Sequence, residues 1–145
     1  MSERCEHGRL FGSVSKQMRL SISRKLRDNN LPINEIQAFI LLDIKVNPGT
    51  CLRDIGKRLL FDKPTITKCF KKLLSLSYIK SVQDSEDKRK YRIYHTEESE
   101  KIIEELKEIS LEVREISYRG LSDQEVEQVN SLMKRINNNL IENNR

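Results

Sequence analysis

Two short stretches concentrate side chains able to grip a polyanion. The first, KPTITKCFKK, carries Lys63, Pro64, Thr65, Thr67, Lys68, Lys71 and Lys72. The second, DSEDKRKYR, sets Lys88, Arg89, Lys90 and Arg92 close to Asp84, Glu86 and Asp87. Lysine and arginine neutralise phosphates, and either can donate to guanine O6 and N7 in the major groove of DNA. Short threonine side chains let a helix approach base edges. An arginine on a narrow loop can enter the minor groove, where groove width is read rather than sequence. These residue types suit Thr65, Thr67 and Lys68 near bases and Lys71 and Lys72 nearer the backbone. For Arg89, a neighbouring carboxylate is expected to hold the side chain outward by a charge-assisted bond.

The charge distribution supports such a partner. Residues 57–92 hold eleven Lys and Arg against four acids, whereas residues 96–145 hold seven against twelve. Inside a net charge of +5, a basic middle in a neutral-to-acidic frame is an electrostatic footprint for a polyanion. Any single lysine here has the plain alternative of a solvated face. The cluster favours a charged partner.

Other chemistry finds little support. There is no glycine-rich phosphate loop and no nucleophile with a plausible base, and His7 and His95 stand isolated in the sequence, so no enzyme is expected. Cys5, Cys51 and Cys69 form no Cys-x-x-Cys pair. Cys5-x-His7 with Glu6 supplies too few good ligands for a tetrahedral metal site, so neither metal nor cofactor is expected. No apolar run approaches the ~20 residues of a membrane span, and MSERCEHGRL lacks the apolar core of a secretory signal. The expectation is one domain, 1–145, in the cytoplasm, with no membrane partner.

The elements that must position the basic residues follow from periodicity and punctuation. Leu10, Val14, Met18, Ile22 and Leu26 recur every four residues, predicting a helix over 10–27. Ile36, Phe39, Ile40 and Ile44 predict a second over 33–45, ended by Asn47-Pro48-Gly49. Leu52, Ile55 and Leu59 predict a third over 52–59, with Thr50 or Cys51 as its N-cap and Asp54 placed for a capping box. Asp62 is the expected N-cap of a fourth, 63–76, with Pro64 in its first turn, where a missing N–H costs nothing. Ile66, Phe70, Leu73 and Leu74 are its inward face, with Cys69 on the border. Two short helices so tightly joined form a helix-turn-helix.

YIKSVQ and KYRIYH alternate apolar and polar residues around a charged tip, predicting a β-hairpin. Thr96 is the expected cap of a long helix over 97–119, and Ser122 with Glu125 the capping box of a last one over 122–141. The expected fold is therefore mainly α with a small β-hairpin wing, a winged helix-turn-helix flanked by terminal helices. Helix 97–119 would run about 33 Å at 1.5 Å per residue. That exceeds what a three-helix core needs, so its apolar stripe predicts burial against a second copy, a homodimer.

On DKPTITKCFKKLLSLSYI and DSEDKRKYRIYHT the chain resembles the MarR-type transcriptional regulators, homodimeric winged-helix proteins that mostly repress. The second stretch looks like that family's Asp-Pro-x-Asp-x-Arg wing followed by a threonine-capped dimerisation helix. The resemblance implies a DNA-binding lobe over 33–96, with dimerisation through helices 10–27 and 97–141. It implies sequence-specific binding of a near-palindromic double-stranded operator, with recognition helix 63–76 in the major groove and wing 84–92 in the minor groove. It further implies that Asp84 and Asp87 support the wing, that Arg89 is its minor-groove arginine, and that Pro64, Thr65, Thr67 and Lys68 approach bases. It also implies release by a small aromatic or anionic ligand. Ser85 stands where the family has proline, Leu60 and Ser77 where glycine is common, and Cys51 where Thr or Ser caps. Two alternatives stay open: a thiol-based redox-sensing regulator using Cys51 or Cys5, and a basic helical interaction protein for RNA or an acidic protein.

Overall fold

The computed structural model describes residues 3–145, with side chains from residue 6 onward. The chain forms two compact units, Met1–Val113 and Arg114–Arg145. In order the helices are α1 (Glu3–Asp28), α2 (Glu35–Val46), α3 (Leu52–Leu59), α4 (Lys63–Ser75), α5 (Glu100–Ser117) and α6 (Asp123–Asn143). Strands β1 (Ile79–Gln83) and β2 (Tyr91–His95) lie between α4 and α5. The mainly helical architecture with one antiparallel hairpin is the one the periodicity predicts. One domain is expected from the sequence; the structure places its division inside α5.

Within the first unit the core is aliphatic. Ile40, Leu41 and Ile44 of α2, Ile55 of α3, Leu73 of α4 and Ile103 of α5 have no exposed surface. Each such side chain contributes about 1.5–3 kcal/mol relative to exposure. Ile79 and Ile93 add the inner face of the hairpin. Cys69, expected on the border of α4, is buried with them, whereas Leu74, expected inward, is 37% exposed. At 100° per residue Leu74 stands about 100° from Leu73, on the edge of the buried arc.

Local chemistry sets the ends. Helix α2 begins at a capping box the periodicity alone missed: Asn34 Oδ1 accepts from the Gln37 amide (2.9 Å) and Gln37 Oε1 from the Asn34 amide (3.0 Å). Cys51 is the N-cap of α3 but its thiol makes no capping hydrogen bond, so the box expected with Asp54 does not form. Sulfur is a weak acceptor. Asp62 caps α4 as expected, accepting from the Thr65 amide at 2.8 Å. Leu60 and Ser77, which replace glycines in the resemblance, keep the left-handed backbone that glycine favours, both at φ 58°.

The hairpin pairs Ile79 with His95 and Gln83 with Tyr91. A short segment, residues 49–50, bridges to its outer edge. The Gly49 amide donates to the Ile93 carbonyl (2.9 Å), and the Ile93 amide donates to the Thr50 carbonyl (2.8 Å). Gly49 has φ 82°, and a Cβ there would meet Tyr94 Oη at 3.1 Å.

The long helix expected from residue 97 opens instead with a 3-10 turn, Glu97–Ser99, before α5. The Thr96 hydroxyl donates across to the Ser77 carbonyl (2.5 Å), and the buried Ser99 hydroxyl accepts from the Thr96 amide (3.2 Å). In the second unit α6 starts at its expected capping box: the Ser122 amide donates to Glu125 Oε2 (2.8 Å), and the Glu125 amide donates to Ser122 Oγ (3.2 Å).

Candidate nucleic-acid interface

Helix α4 presents its basic side chains because its buried residues use up the opposite arc. Cys69, Leu73 and Ile66 face the core, which leaves Pro64, Lys68 and Lys71 at the centre of the outward arc. Lys63, Pro64, Thr67, Lys68 and Lys71 line one shallow groove of about 480 Å³. Lys72 is exposed on one flank. Thr65 and Thr67 are half-buried and stand about 160° apart around the axis, so they occupy opposite flanks of that arc. The Asp62 cap, with Pro64 in the first turn, fixes where this face begins. The Thr65 amide holds the Asp62 carboxyl below its ordinary range.

The wing tip is built around Asp84, which is buried. Its Oδ1 accepts from the amides of Glu86 (2.8 Å) and Asp87 (3.1 Å), and its Oδ2 accepts from Arg92 Nε (2.6 Å). The two amides, then Arg92, hold the Asp84 carboxyl below the usual carboxylate range. Arg92 Nη1 also donates to the Gly49 carbonyl at 3.3 Å. Gln83 Nε2 ties down the Lys88 carbonyl at 2.7 Å, and the Lys90 amide donates to the Asp87 carbonyl at 2.9 Å.

Asp87 Oδ1 accepts from the backbone amide of Arg89 (3.1 Å), not from its guanidinium. The expected carboxylate partner of Arg89 is therefore a partner of its backbone. Charge pairing falls to Arg92, which reaches back to Asp84 while its side chain stays 56% exposed. Lys88, Arg89 and Lys90 remain exposed on a tip braced by hydrogen bonds.

Cleft walls join these two parts. Phe70 and Leu74 of α4, Cys51 and Arg53 at the start of α3, and Arg89, Lys90, Tyr91 and Arg92 of the wing line one open cleft of about 790 Å³. The wing thus stands beside α4 within the first unit. Arg53 is not legible as a cleft residue in the sequence, because nothing in its local pattern separates it from a solvated helix residue.

The cysteines differ. Cys51 is half-buried in the cleft wall; Cys69 is buried, and burial pushes its thiol up. The side chain of Cys5 lies outside the described residues. Among the described residues no cluster of three or more His, Cys, Asp or Glu is placed to hold a metal ion. No helix among them is long and apolar enough to cross a membrane. His95, isolated in the sequence, has neighbours in space: Glu100 Oε1 at 3.2 Å from Nδ1 and Lys45 Nζ at 3.5 Å from Nε2.

Known proteins share this arrangement. Residues 33–91, from α2 through the wing, match the MarR family. SarZ of Staphylococcus haemolyticus (strain JCSC1435), an HTH-type transcriptional regulator, is 34% identical over 101 residues, covering 70% of this chain and 68% of SarZ. A MarR protein from Peptoclostridium difficile superposes with a TM-score of 0.84 at 28% identity, over 93% of this chain and 87% of that one. A cysteine-to-serine mutant of E. coli MarR, solved in complex with operator DNA, gives 0.79 at 21% identity, over 89% and 91% of the chains, a likeness of fold alone. The helix-turn-helix, the braced wing and the matched sequence coincide on the same residues, and the chain belongs to the MarR family of transcriptional regulators.

Proposed function

We propose that this chain is a sequence-specific double-stranded DNA-binding repressor that works as a homodimer. Helix α4 enters the major groove with Pro64, Thr65, Thr67 and Lys68 toward the bases, Lys63 beside them, and Lys71 and Lys72 on the adjacent backbone phosphates. Arg89 enters the minor groove from the wing, with Lys88 and Lys90 on the adjacent phosphates. The observation that carries this reading is one exposed basic groove on α4 beside a wing whose tip is braced from within by Asp84. An E. coli MarR mutant of the same fold was solved with operator DNA, which supports duplex DNA as the partner here.

Residues 33–96 form the reading lobe in this proposal, and residues 10–27 with 97–141 form the dimer contacts. Each unit carries an exposed apolar stripe among the described residues. In α1 it is Leu10, Val14 and Met18; in α6 it is Leu132, Met133, Ile136 and Leu140, all well exposed. Exposed apolar stripes of this kind mark association surfaces. Two copies imply a near-palindromic operator with half-sites about 34–36 Å apart.

A small aromatic anion is the proposed releasing ligand. The cleft between α3, α4 and the wing offers Arg53 and Arg89 for a carboxylate and Phe70, Leu74 and Tyr91 for a ring. An occupant there would compete with DNA for Arg89.

Footprinting on duplexes selected from genomic DNA, over a salt titration, tests the reading. Arg89→Ala should lose minor-groove protection and about 1–3 kcal/mol of binding, and Lys71→Ala should lower the salt slope by about 1. Binding that is equal for all sequences, or insensitive to salt, would overturn it.

A further inference from the structure

Arg58 belongs to the basic stretch 57–92 and would ordinarily be counted among its DNA-facing charges. Its fork is instead engaged inside the first unit. Nε and Nη2 donate to the two carboxylate oxygens of Asp43 at 2.9 and 2.7 Å. The same Nη2 donates to Thr50 Oγ1 at 2.7 Å. Asp43, on α2, keeps only 9% of its side chain exposed, and Asn47 Nδ2 donates to its carbonyl at 3.2 Å.

Thr50 connects this ion pair to the wing. Its carbonyl accepts the Ile93 amide, Gly49 donates back to the Ile93 carbonyl, and Arg92 reaches the Gly49 carbonyl. The two-residue segment 49–50 is thus the support on which the base of the wing rests. Arg58 holds that segment to α2 and α3 by its hydroxyl-bearing residue.

We infer that Arg58 is a positioning residue. With Asp43 and Thr50 it forms a clamp that sets the wing, and so Arg89, relative to the recognition helix. The planar fork meets both carboxylate oxygens side-on while Nη2 keeps a second N–H for the hydroxyl, a geometry a lysine point charge does not reproduce. This role deepens the DNA-binding reading and rests on it for its purpose, though the clamp itself is measurable without DNA.

Three variants of the full chain test it: Thr50→Val, Asp43→Asn and Arg58→Met. Amide exchange followed by NMR should speed up at Ile93 by about tenfold in each, with Leu73 in α4 unchanged, because only the wing's seating opens locally. On DNA, minor-groove protection by the wing should weaken while major-groove protection persists. The Asp43→Asn/Arg58→Met double variant should be no worse than either single one, as expected for groups acting as one unit.

Thr50→Val leaves the Arg58–Asp43 pair intact, so it carries the test should Arg58→Met fold poorly. Unchanged Ile93 exchange in all three variants would overturn the clamp. A lower salt slope for Arg58→Met alone, with tighter binding for Asp43→Asn, would make Arg58 a phosphate contact instead. If the wild-type chain protects no duplex, the DNA reading fails by itself, and Ile93 exchange still decides whether Arg58 seats the wing.

Discussion

Asp84 and Arg92 meet at 2.6 Å at the tip end of the wing, carboxylate to guanidinium, with the carboxylate buried. The other Asp84 oxygen holds the Glu86 and Asp87 amides, so one side chain closes the tip and anchors it. A four-cation loop would repel itself; neutralising Arg92 with Asp84 leaves Lys88, Arg89 and Lys90 as the remaining exposed cations on a braced frame.

The first prediction is a pH dependence. Asp84 titrates below its ordinary value, so its contribution to the wing is complete above the unfolded aspartate pKa of ~3.9 and disappears as pH falls through the folded value. Asp62 is depressed too, so the start of α4 also loosens below the ordinary aspartate range. NMR of the Glu86, Asp87 and Thr65 amides should show each signal shifting as pH falls below about 4. Asp84→Ala should remove the wing part of that transition at once, and Asp84→Asn less completely, since an amide oxygen still accepts one N–H.

Neighbouring leucines of α4 should respond very differently to truncation. Leu73 is fully buried and Leu74 is 37% exposed. Leu73→Ala should destabilise by about 2–5 kcal/mol through lost burial plus the cavity left behind. Leu74→Ala should cost less than about 1 kcal/mol. Urea denaturation midpoints measure both.

Leu60 sits at φ 58° and is 85% exposed, so its side chain contributes little burial while its backbone is strained. Relief of the left-handed penalty should outweigh the added chain entropy of glycine, so Leu60→Gly should stabilise by about 0.5–1 kcal/mol. A rise in melting temperature without change in DNA affinity is the expected result.

Dimer formation should be sensitive to charge on the exposed stripes. Met18→Asp in α1 and Ile136→Asp in α6 each place a carboxylate on an exposed apolar surface, so a free monomer should fold unharmed. Sedimentation at micromolar concentration should show wild-type dimers and monomeric variants. Monomers should lose most operator affinity, because each half-site then binds alone.

Much of this protein is local physics, and the sequence by itself determined that part. The 3.6-residue period placed Ile66 and Leu73 on the inward arc of α4, with Cys69 only at its border, and left Lys68 and Lys71 outward; Asp62, Pro64, Ser122 and Glu125 marked helix starts within a residue or two. These signals lie within one or two turns of chain, where spacing and orientation are nearly the same thing. Pairing across the fold was decided only by tertiary structure. Whether an arginine faces solvent or a carboxylate depends on which distant residue arrives beside it. Asp43 reaches Arg58 and Gly49 reaches Arg92 only after α2, α3 and the hairpin have packed, and His95 gains Glu100 and Lys45 in the same way. Equal charges in one basic run thus divide into those engaged within the fold and those left exposed.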